Sequence, residues 1–304
     1  MTKWRLTRES GKRAGMSKNV LVTGATGSIG SQLARYLADK SDVKVRAFVR
    51  DERKAEPVQK AGAELAIGTF DDRASIRAAM KDIDTVVLIA PPGPAAVDQN
   101  SNVIKISKES SVRKVVRISA IKASADGPTE NTRLHARSDA ELQKSGLKYV
   151  ILRPNFFMQN LFMSLDTINN DSALYAGMGD AKFGMIDVRD IVECAGEAAV
   201  RDEFDNQVLE LSGPESVSYH DVARVLSEVT GRTINYVPVT PDAVRETMLG
   251  MGVDDWMSTL MRDYYQAYSA GWGDFVTDNV ERMAGHPARS LDQFVREVLA
   301  PALV

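Results

Sequence analysis

The sequence is poor in cysteine and histidine. Among its 304 residues there is one cysteine, Cys194, and there are three histidines. A single thiol cannot form an internal disulfide, and Cys194 lies in the helical pattern IVECAGEAAV, which is typical of a buried, inert thiol. Because no disulfide can form, we expect a reducing, cytoplasmic compartment. No cluster of histidine, cysteine and carboxylate residues has metal-ligand spacing, so no metal is expected.

Strong net charge and long apolar runs are also missing. The 38 basic and 41 acidic residues give a formal charge of −3, which offers no electrostatic attraction to nucleic acid. A membrane-spanning helix needs about 20 apolar residues in succession, and no run approaches this length, so no membrane span is expected. Residues 1–18 carry six basic residues and one acid without an apolar stretch behind them. They are predicted to be a disordered extension, with a targeting or anion-binding arm as the alternative.

What the sequence does have is a regular alternation of strand-like and helix-like segments. Helical patterns of about 10–15 residues separate short β-branched runs, which favours right-handed crossovers between parallel strands. Runs such as TVVLIA lack polar alternation, as central strands covered on both faces do. The predicted strands lie at 19–24, 43–50, 63–68, 85–90, 114–120 and 147–154. We therefore expect an α/β fold with a Rossmann-type, doubly wound parallel sheet.

The alternation loosens after residue 154. Residues 155–304 are predicted to complete the sheet, with a strand at 207–213, and to form a smaller, mainly helical substrate lobe. Ser218 and Asp221 have the spacing of a capping box at the start of one helix. Methionine and aromatic residues crowd the segment 241–299; they usually form core, but they also suit a pocket for a flat ligand. These residues are Met248, Met251, Trp256, Met257, Met261, Tyr264, Tyr265 and Tyr268.

A glycine-rich turn carries the strongest functional signal. The stretch VLVTGATGSIG places Gly24, Gly27 and Gly30 between the first predicted strand and the first predicted helix. In such a turn the first glycine permits the bend, the second lets the backbone approach a pyrophosphate, and the third lets the helix pack on the strand. The helix N-terminus then offers free N–H groups to phosphate. A turn that merely uses glycine is the alternative; we predict that residues 19–154 bind a nicotinamide dinucleotide.

The end of the second predicted strand indicates which dinucleotide is bound. An acidic residue there usually holds a ribose 2′-hydroxyl, whereas an arginine holds a 2′-phosphate. Arg50 stands at this point, followed by Asp51 and Glu52, and Lys54 adds a second basic group. Arginine pairs bidentately with phosphate, so NADP is favoured. Asp51 keeps NAD as the alternative.

The motifs taken together resemble the NmrA-like branch of the atypical short-chain dehydrogenase/reductase family, which includes reductases of triphenylmethane dyes, quinones and azo dyes. The resemblance covers nearly everything after residue 18, and its more specific part is ILRPNFFMQN together with GATGSIG. The matching stretches are VLVTGATGSIG (20–30), AFVR (47–50), VRISA (116–120), LKYVILRPNFFMQN (147–160), IDVRDI (186–191) and GHPARSLDQFV (285–295).

The resemblance implies which residues contact the cofactor, all near the carboxyl ends of parallel strands. Relatives often carry an aspartate after the glycine that corresponds to Gly68, whereas this chain has Thr69; Asp71 and Asp72 are the available substitutes. The implied residues are Gly24, Thr26, Gly27, Ser28, Ile29 and Gly30 at the pyrophosphate, Arg50 at the 2′-phosphate, Phe70 and Asp71 at the adenine, Ala90, Pro91 and Pro92 at the ribose, and Ser119, Pro154, Asn155, Phe156, Phe157 and Gln159 at the nicotinamide end.

The catalytic residues stay unassigned. Typical short-chain dehydrogenases use a tyrosine and a lysine four residues on, and those places hold His135 and Asp139 here. The usual alcohol–ketone mechanism is therefore not expected. His135 is a candidate proton donor, since histidine titrates near neutral pH; a histidine that only contacts a neighbouring side chain is the equal alternative.

Hydride transfer does not require a positioned acid when the acceptor is already electrophilic and water supplies the proton. We therefore expect an NAD(P)H-dependent reductase of a quinone, a dye or another flat aromatic acceptor. The alternative is a non-catalytic redox sensor that binds NAD(P) and a regulatory protein partner. An isomerase or epimerase of nucleotide sugars ranks last because it needs the missing tyrosine and lysine. A monomer or homodimer is expected.

Overall fold

The computed structural model describes residues 17–303 of the chain. Residues 1–16 of the predicted extension therefore lie outside the described residues. Lys18, which the pattern assigned to that extension, is instead the first residue of strand β1 (Lys18–Thr23), and its Nζ donates a hydrogen bond to the carbonyl of Val200. Within the described part, no helix is long and apolar enough to cross a membrane.

Within residues 17–303, nine strands form two parallel sheets. The strands are β1 (Lys18–Thr23), β2 (Val43–Val49), β3 (Glu64–Ile67), β4 (Thr85–Leu88), β5 (Lys114–Ile118), β6 (Lys148–Pro154), β7 (Ala173–Ala176), β8 (Gln207–Leu211) and β9 (Asn235–Pro238). The main sheet has the order β3-β2-β1-β4-β5-β6-β8, and β7 pairs with β9 in the small sheet. The chain reverses its direction of travel across the main sheet between β1 and β4, and open α/β sheets bind ligands at that point.

Twelve α-helices of the described part of the chain connect and cover the strands. They are α1 (Ser28–Ala38), α2 (Glu56–Lys60), α3 (Arg73–Ala79), α4 (Ala96–Lys108), α5 (Glu130–Gln143), α6 (Leu165–Asp171), α7 (Val188–Val200), α8 (Tyr219–Thr230), α9 (Pro241–Gly250), α10 (Asp255–Ser269), α11 (Asn279–Ala284) and α12 (Leu291–Phe294). Short 3₁₀ turns lie at Glu52–Lys54, Met158–Ser164 and Ala300–Ala302, and α12 continues into a π turn at Val295–Leu299.

Helices cover both faces of the main sheet, which confirms the doubly wound fold. One apolar core joins the sheet to α1 and α7, and another joins its opposite face to α3 and α4. All residues of β4 are buried, as its continuous apolar run predicts. Those of β5 are buried as well, although Lys114 and Arg117 lie among them. A third core lies in the C-terminal part, between the small sheet, α8 and α10.

Capping boxes begin helix α5 beside the site and helix α8 in the lobe. In α8, Ser218 accepts a hydrogen bond from the backbone N–H of Asp221, and the aspartate side chain bonds back to Ser218, as the spacing predicts. In α5, Thr129 and Thr132 form the same reciprocal arrangement. Strand β7 was not predicted, because its four residues ALYA are too short for a periodic pattern to show.

The turn between β1 and α1 tolerates no side chain at Gly30. A Cβ built there would lie 2.2 Å from the carbonyl oxygen of Gly24 and 2.9 Å from the Cα of Ala25. The Gly30→Ala substitution should therefore force the helix off the strand and lower the free energy of unfolding by about 1–3 kcal/mol. Urea unfolding followed by circular dichroism measures this change.

The matched control is Gly250→Ala, since a Cβ at that helical position meets no atom within 4 Å. Alanine has the higher helix propensity, so this variant should be as stable as the parent or slightly more so. Equal stability of Gly30→Ala and the parent would show that the close approach at the turn is not a constraint.

Candidate functional site

A cavity of about 660 Å³ lies at the carboxyl ends of β1, β2 and β3, beside the point where the sheet order reverses. Its volume is in the range of cofactor and ligand pockets. The glycine-rich turn forms its floor. Its lining residues are Gly24, Thr26–Gly30, Phe48–Arg50, Lys54, Gly68–Asp71, Ile89–Pro92, Gln99 and Phe157.

The floor of this cavity has the local geometry of a phosphate site. Gly24 has a φ of +60°, and its carbonyl accepts a hydrogen bond from the N–H of Gly27. Gly27 is the N-cap of α1 and supplies no capping side chain, and the first turn contains no acidic residue. The leading N–H groups of α1 are thus left for an anion such as a pyrophosphate.

The second strand ends with a basic pair that faces the cavity. Arg50 and Lys54 both line it, whereas Asp51 does not. The carboxylate of Asp51 caps the turn that follows and accepts two hydrogen bonds from the guanidinium of Arg53, at 3.0 and 2.9 Å. This hydrogen bonding with Arg53 lowers the pKa of Asp51. Asp51 is thus engaged by its own neighbours, and the charge that the end of β2 presents to the cavity is positive.

The adenine side of the cavity contains the residues after β3. Phe70 is buried and stacks edge-on against Phe48 with 6.0 Å between the ring centroids. Asp71 accepts hydrogen bonds from the side-chain amide of Gln99 at 3.3 Å. Thr69 itself lines the cavity. No motif indicates a role for Gln99, because only the fold brings α4 next to the end of β3.

A second, apolar cavity of about 330 Å³ joins the first. The two share the wall formed by Ile29, Ile89, Ala90, Pro92 and Phe157. The remaining lining residues are Ile118–Ile121, Asn131, His135, Pro154–Phe156, Asn160, Met257, Leu260, Met261, Tyr264 and Tyr268. A dinucleotide that runs from the phosphate floor past Ala90 would therefore bring its distal ring to the mouth of the apolar cavity.

The far wall of the apolar cavity comes from α10. Tyr264 accepts a hydrogen bond from the amide of Asn131 at 2.9 Å, and Tyr268 donates one to Asn155 at the same distance. Burial raises the pKa of both phenols. Both hydroxyl groups are thus neutral. That of Tyr268 donates within the protein and that of Tyr264 accepts within it, so what this wall offers a ligand is mainly ring surface. Of the aromatic and methionine residues named in the sequence, Met257 and Met261 also lie on this wall, whereas Met251 is exposed.

Some residues of the motif at the end of β6 line a cavity, and others hold the surrounding structure in place. Pro154 and Phe156 line the apolar cavity, and Phe157 lines both cavities. Asn155 also borders the apolar cavity, but its amide is buried and donates to the carbonyl of Gly273 at 2.9 Å. Gln159 lies outside both cavity linings. Its amide instead bonds Asp187 and the N–H of Val188 at 2.9 Å, which fixes the start of α7.

A buried polar network lies directly behind the apolar cavity. Asp139 accepts hydrogen bonds from Ser119 at 2.8 Å and from Arg153 at 2.9 Å, and it forms a fully buried ion pair with Arg117. Arg117 also bonds His135, 3.1 Å away. The position where typical family enzymes carry a lysine thus holds the carboxylate that joins two arginines. No motif indicates this role of Arg117 and Arg153, because a strand arginine that pairs with a buried carboxylate has no periodic signature.

One group of potential metal ligands occurs in the described residues. Asp190, Glu193 and His286 bring their ligand atoms within 4.8 Å of one another. Arg289 donates to both carboxylates, to Glu193 at 2.7 Å, and His286 bonds Glu193. The guanidinium is thus the cation that these carboxylates face, and the cluster ties the GHPARS segment to α7.

Comparison with known proteins agrees with this geometry. A family model described as NAD(P)H-binding matches residues 24–173. The NAD(P)H azoreductase of Xenophilus azovorans is 31% identical over 277 residues, which are 91% of this chain and 96% of that protein.

Two solved structures share the fold. The NADPH-dependent quinone oxidoreductase of Escherichia coli in complex with NADPH superposes with a TM-score of 0.84 at 21% identity, over 92% of this chain and 99% of that one. The triphenylmethane reductase of a Citrobacter species in complex with NADP(H) gives 0.82 at 20% identity, over 91% and 99%.

The fold and the glycine-lined cavity define a Rossmann-type protein that binds NAD(P)H. The chain belongs to the NAD(P)H-binding oxidoreductase family that contains the azoreductase, and the resemblance indicated by its motifs is confirmed.

The buried network should be essential to stability. Asp139→Ala leaves the charge of Arg117 buried without its partner, so the free energy of unfolding should fall by about 3–5 kcal/mol. Urea unfolding monitored by tryptophan fluorescence measures the loss. Asp292→Ala is the matched control. It also removes an aspartate that pairs with an arginine, Arg296, but this pair is exposed and lies within one helical turn, so stability should change far less. Equal losses for the two variants would contradict a central role for Asp139.

Proposed function

We propose that this protein is an NADPH-dependent reductase that transfers hydride to a flat, quinone-like or aromatic acceptor. The observation that carries the proposal is the shared wall of the two cavities. At this wall the first cavity, which we call the cofactor groove, meets the apolar cavity, which we call the apolar chamber. They meet at Ala90, Pro92 and Phe157, where a reduced nicotinamide and an acceptor ring can stack. Such positioning is the protein's main contribution to hydride transfer, since the cofactor supplies the hydride.

The preference for NADPH follows from the charges at the end of β2. Arg50 and Lys54 are available to a 2′-phosphate, while the carboxylate of Asp51 is held by Arg53. Charge-assisted hydrogen bonds to phosphate are stronger than neutral ones. The NADPH and NADP(H) complexes of the two structural relatives support the same choice.

The substrate class follows from the walls of the apolar chamber. Phe156, Tyr264 and Tyr268 supply ring surface, and Met257 and Met261 adapt to planar ligands. The places where typical short-chain dehydrogenases carry a tyrosine and a lysine hold His135 and Asp139, so we expect an acceptor that is electrophilic without a positioned tyrosine as general acid. Quinones, azo dyes and cationic triphenylmethane dyes meet this condition, and the names of the relatives point to the same chemistry.

Stopped-flow oxidation of NADPH with a panel of quinones, azo dyes and triphenylmethane dyes tests the proposal. We expect acceptor-dependent loss of NADPH absorbance well above the uncatalysed rate with at least one class. Binding of NADPH without turnover of any acceptor would contradict the proposal and favour a redox-sensing role.

Cofactor preference should depend on Arg50. The Arg50→Ala substitution should weaken NADPH binding by about 10- to 100-fold, the effect of losing a hydrogen bond to a charged group, and should leave NADH affinity nearly unchanged. Fluorescence titration with each reduced cofactor measures the two dissociation constants. Arg77→Ala is the matched control, since Arg77 pairs with Glu109 away from the cavity. Parallel losses of NADPH and NADH affinity would show that Arg50 does not contact the phosphate.

A further inference from the structure

The protonated nitrogen of His135 can be identified from its partner. Nδ1 of His135 lies 3.1 Å from Nη2 of Arg117. A guanidinium can only donate hydrogen bonds, so Nδ1 must be the acceptor and carries no proton. A neutral imidazole has a single N–H, which is therefore on Nε2. The contact with Arg117 thus fixes both the ring orientation and the tautomer.

The surroundings of His135 keep the ring neutral. Arg117 on β5 and Arg153 on β6 place two positive charges near it, and Tyr264 on α10 is an uncharged phenol across the cavity. The carboxylate of Asp139, on the same helix as His135, is engaged by both arginines and Ser119. Burial and the charges of Arg117 and Arg153 hold the pKa of His135 well below its ordinary value.

Nε2 is the ring nitrogen of His135 that is left for a ligand. His135 lines the apolar cavity, and Nε2 has no hydrogen-bond partner among residues 17–303. It is also not one of the buried, unpartnered polar atoms of that part of the chain, so it is accessible. The neighbouring hydroxyl of Ser119 donates to Asp139, and that of Tyr268 donates to Asn155. The N–H of His135 is therefore a donor at the cavity that no described protein group uses.

We infer that His135 is a fixed hydrogen-bond donor that stabilises negative charge developing on a carbonyl oxygen of the acceptor. The inference rests on the proposed reductase function and names its favoured substrate class, acceptors with an oxygen conjugated to the reacting carbon. When a quinone takes the hydride, NADPH becomes NADP⁺ and the quinone becomes a hydroquinone monoanion. Water then supplies the proton that completes the hydroquinone, and His135 keeps its own. This role differs from that of a proton donor, for which His135 is a candidate on its sequence alone, because the histidine donates a hydrogen bond and transfers no proton.

Two acceptors distinguish this role from a structural one. Hydride adds to 1,4-naphthoquinone with negative charge developing on oxygen, whereas it neutralises a cationic triphenylmethane dye such as malachite green. His135→Leu should lower kcat/KM for naphthoquinone by about 10- to 100-fold, the effect of losing a hydrogen bond to a charged group. The loss with the dye should be at least tenfold smaller. His135→Gln should recover most of the naphthoquinone activity, since its amide N–H reaches the region of Nε2.

His220→Gln is the matched control, because this exposed histidine of α8 pairs with Asp180 outside both cavities. Its turnover should equal that of the parent with both acceptors. Equal losses of naphthoquinone and dye activity in His135→Leu would overturn the inference and assign His135 a packing role.

Nuclear magnetic resonance tests the donor without turnover. Long-range ¹H–¹⁵N spectra of the protein should show the Nε2–H tautomer of His135 and no titration between about pH 5 and 8, the range in which an ordinary histidine titrates. His286 provides the contrast in the same spectra, because its hydrogen bond to Glu193 raises its pKa. An Nδ1–H tautomer, or titration of His135 near its ordinary value, would overturn the inference.

Adding a quinone to the protein that holds oxidised cofactor tests the hydrogen-bond donor separately from the reductase activity. Naphthoquinone added to the protein saturated with NADP⁺ cannot react, and it should shift the Nε2–H resonance of His135 on saturation. Absence of turnover with every acceptor would refute the reductase function, while this shift would still establish the donor. Saturation of the cavity without any shift would refute the donor even in an active enzyme.

Discussion

The pairing of one buried carboxylate with two guanidinium groups holds the centre of this molecule together. Asp139 reaches from α5 to Arg117 on β5 and Arg153 on β6, and it also orients Ser119. A buried charge is tolerated only when it is paired and hydrogen bonded, so these groups constrain one another's positions. The carboxyl ends of the two strands and the imidazole of His135 are thereby held in one arrangement, on which the inner wall of the apolar cavity depends.

The two cavities draw on different parts of the chain. The cofactor groove is built from segments before residue 100 except for Phe157, whereas the outer wall of the apolar chamber comes from α10. The groove depends on backbone geometry at Gly24 and Gly30, which leaves little room for change. The chamber depends on side-chain shape, because the phenols of Tyr264 and Tyr268 are tied back into the protein. Apart from their shared wall, the two cavities are thus shaped by separate residues in this fold.

Local features were predictable from the sequence, and features built by long-range contacts were not. The strand alternation, the turn at Gly24–Gly30 and the capping box at Ser218 are encoded by neighbouring residues, and the structure has each of them. Gln99 and Arg117 acquire their roles only when distant segments meet. Gln159 belongs to a motif that also lines the cavities, yet its amide turns to Asp187 instead. A motif indicates a region, and packing decides which of its side chains face a ligand.

The guanidinium of Arg53 donates two hydrogen bonds to the carboxylate of Asp51, and the same carboxylate caps the turn that follows β2. If Arg50 binds the 2′-phosphate as proposed, its loss alone would remove a phosphate ligand without presenting a carboxylate to a ribose diol. Asp51 would become available only after a further change at residue 53, so a change of cofactor at this turn would require at least two substitutions.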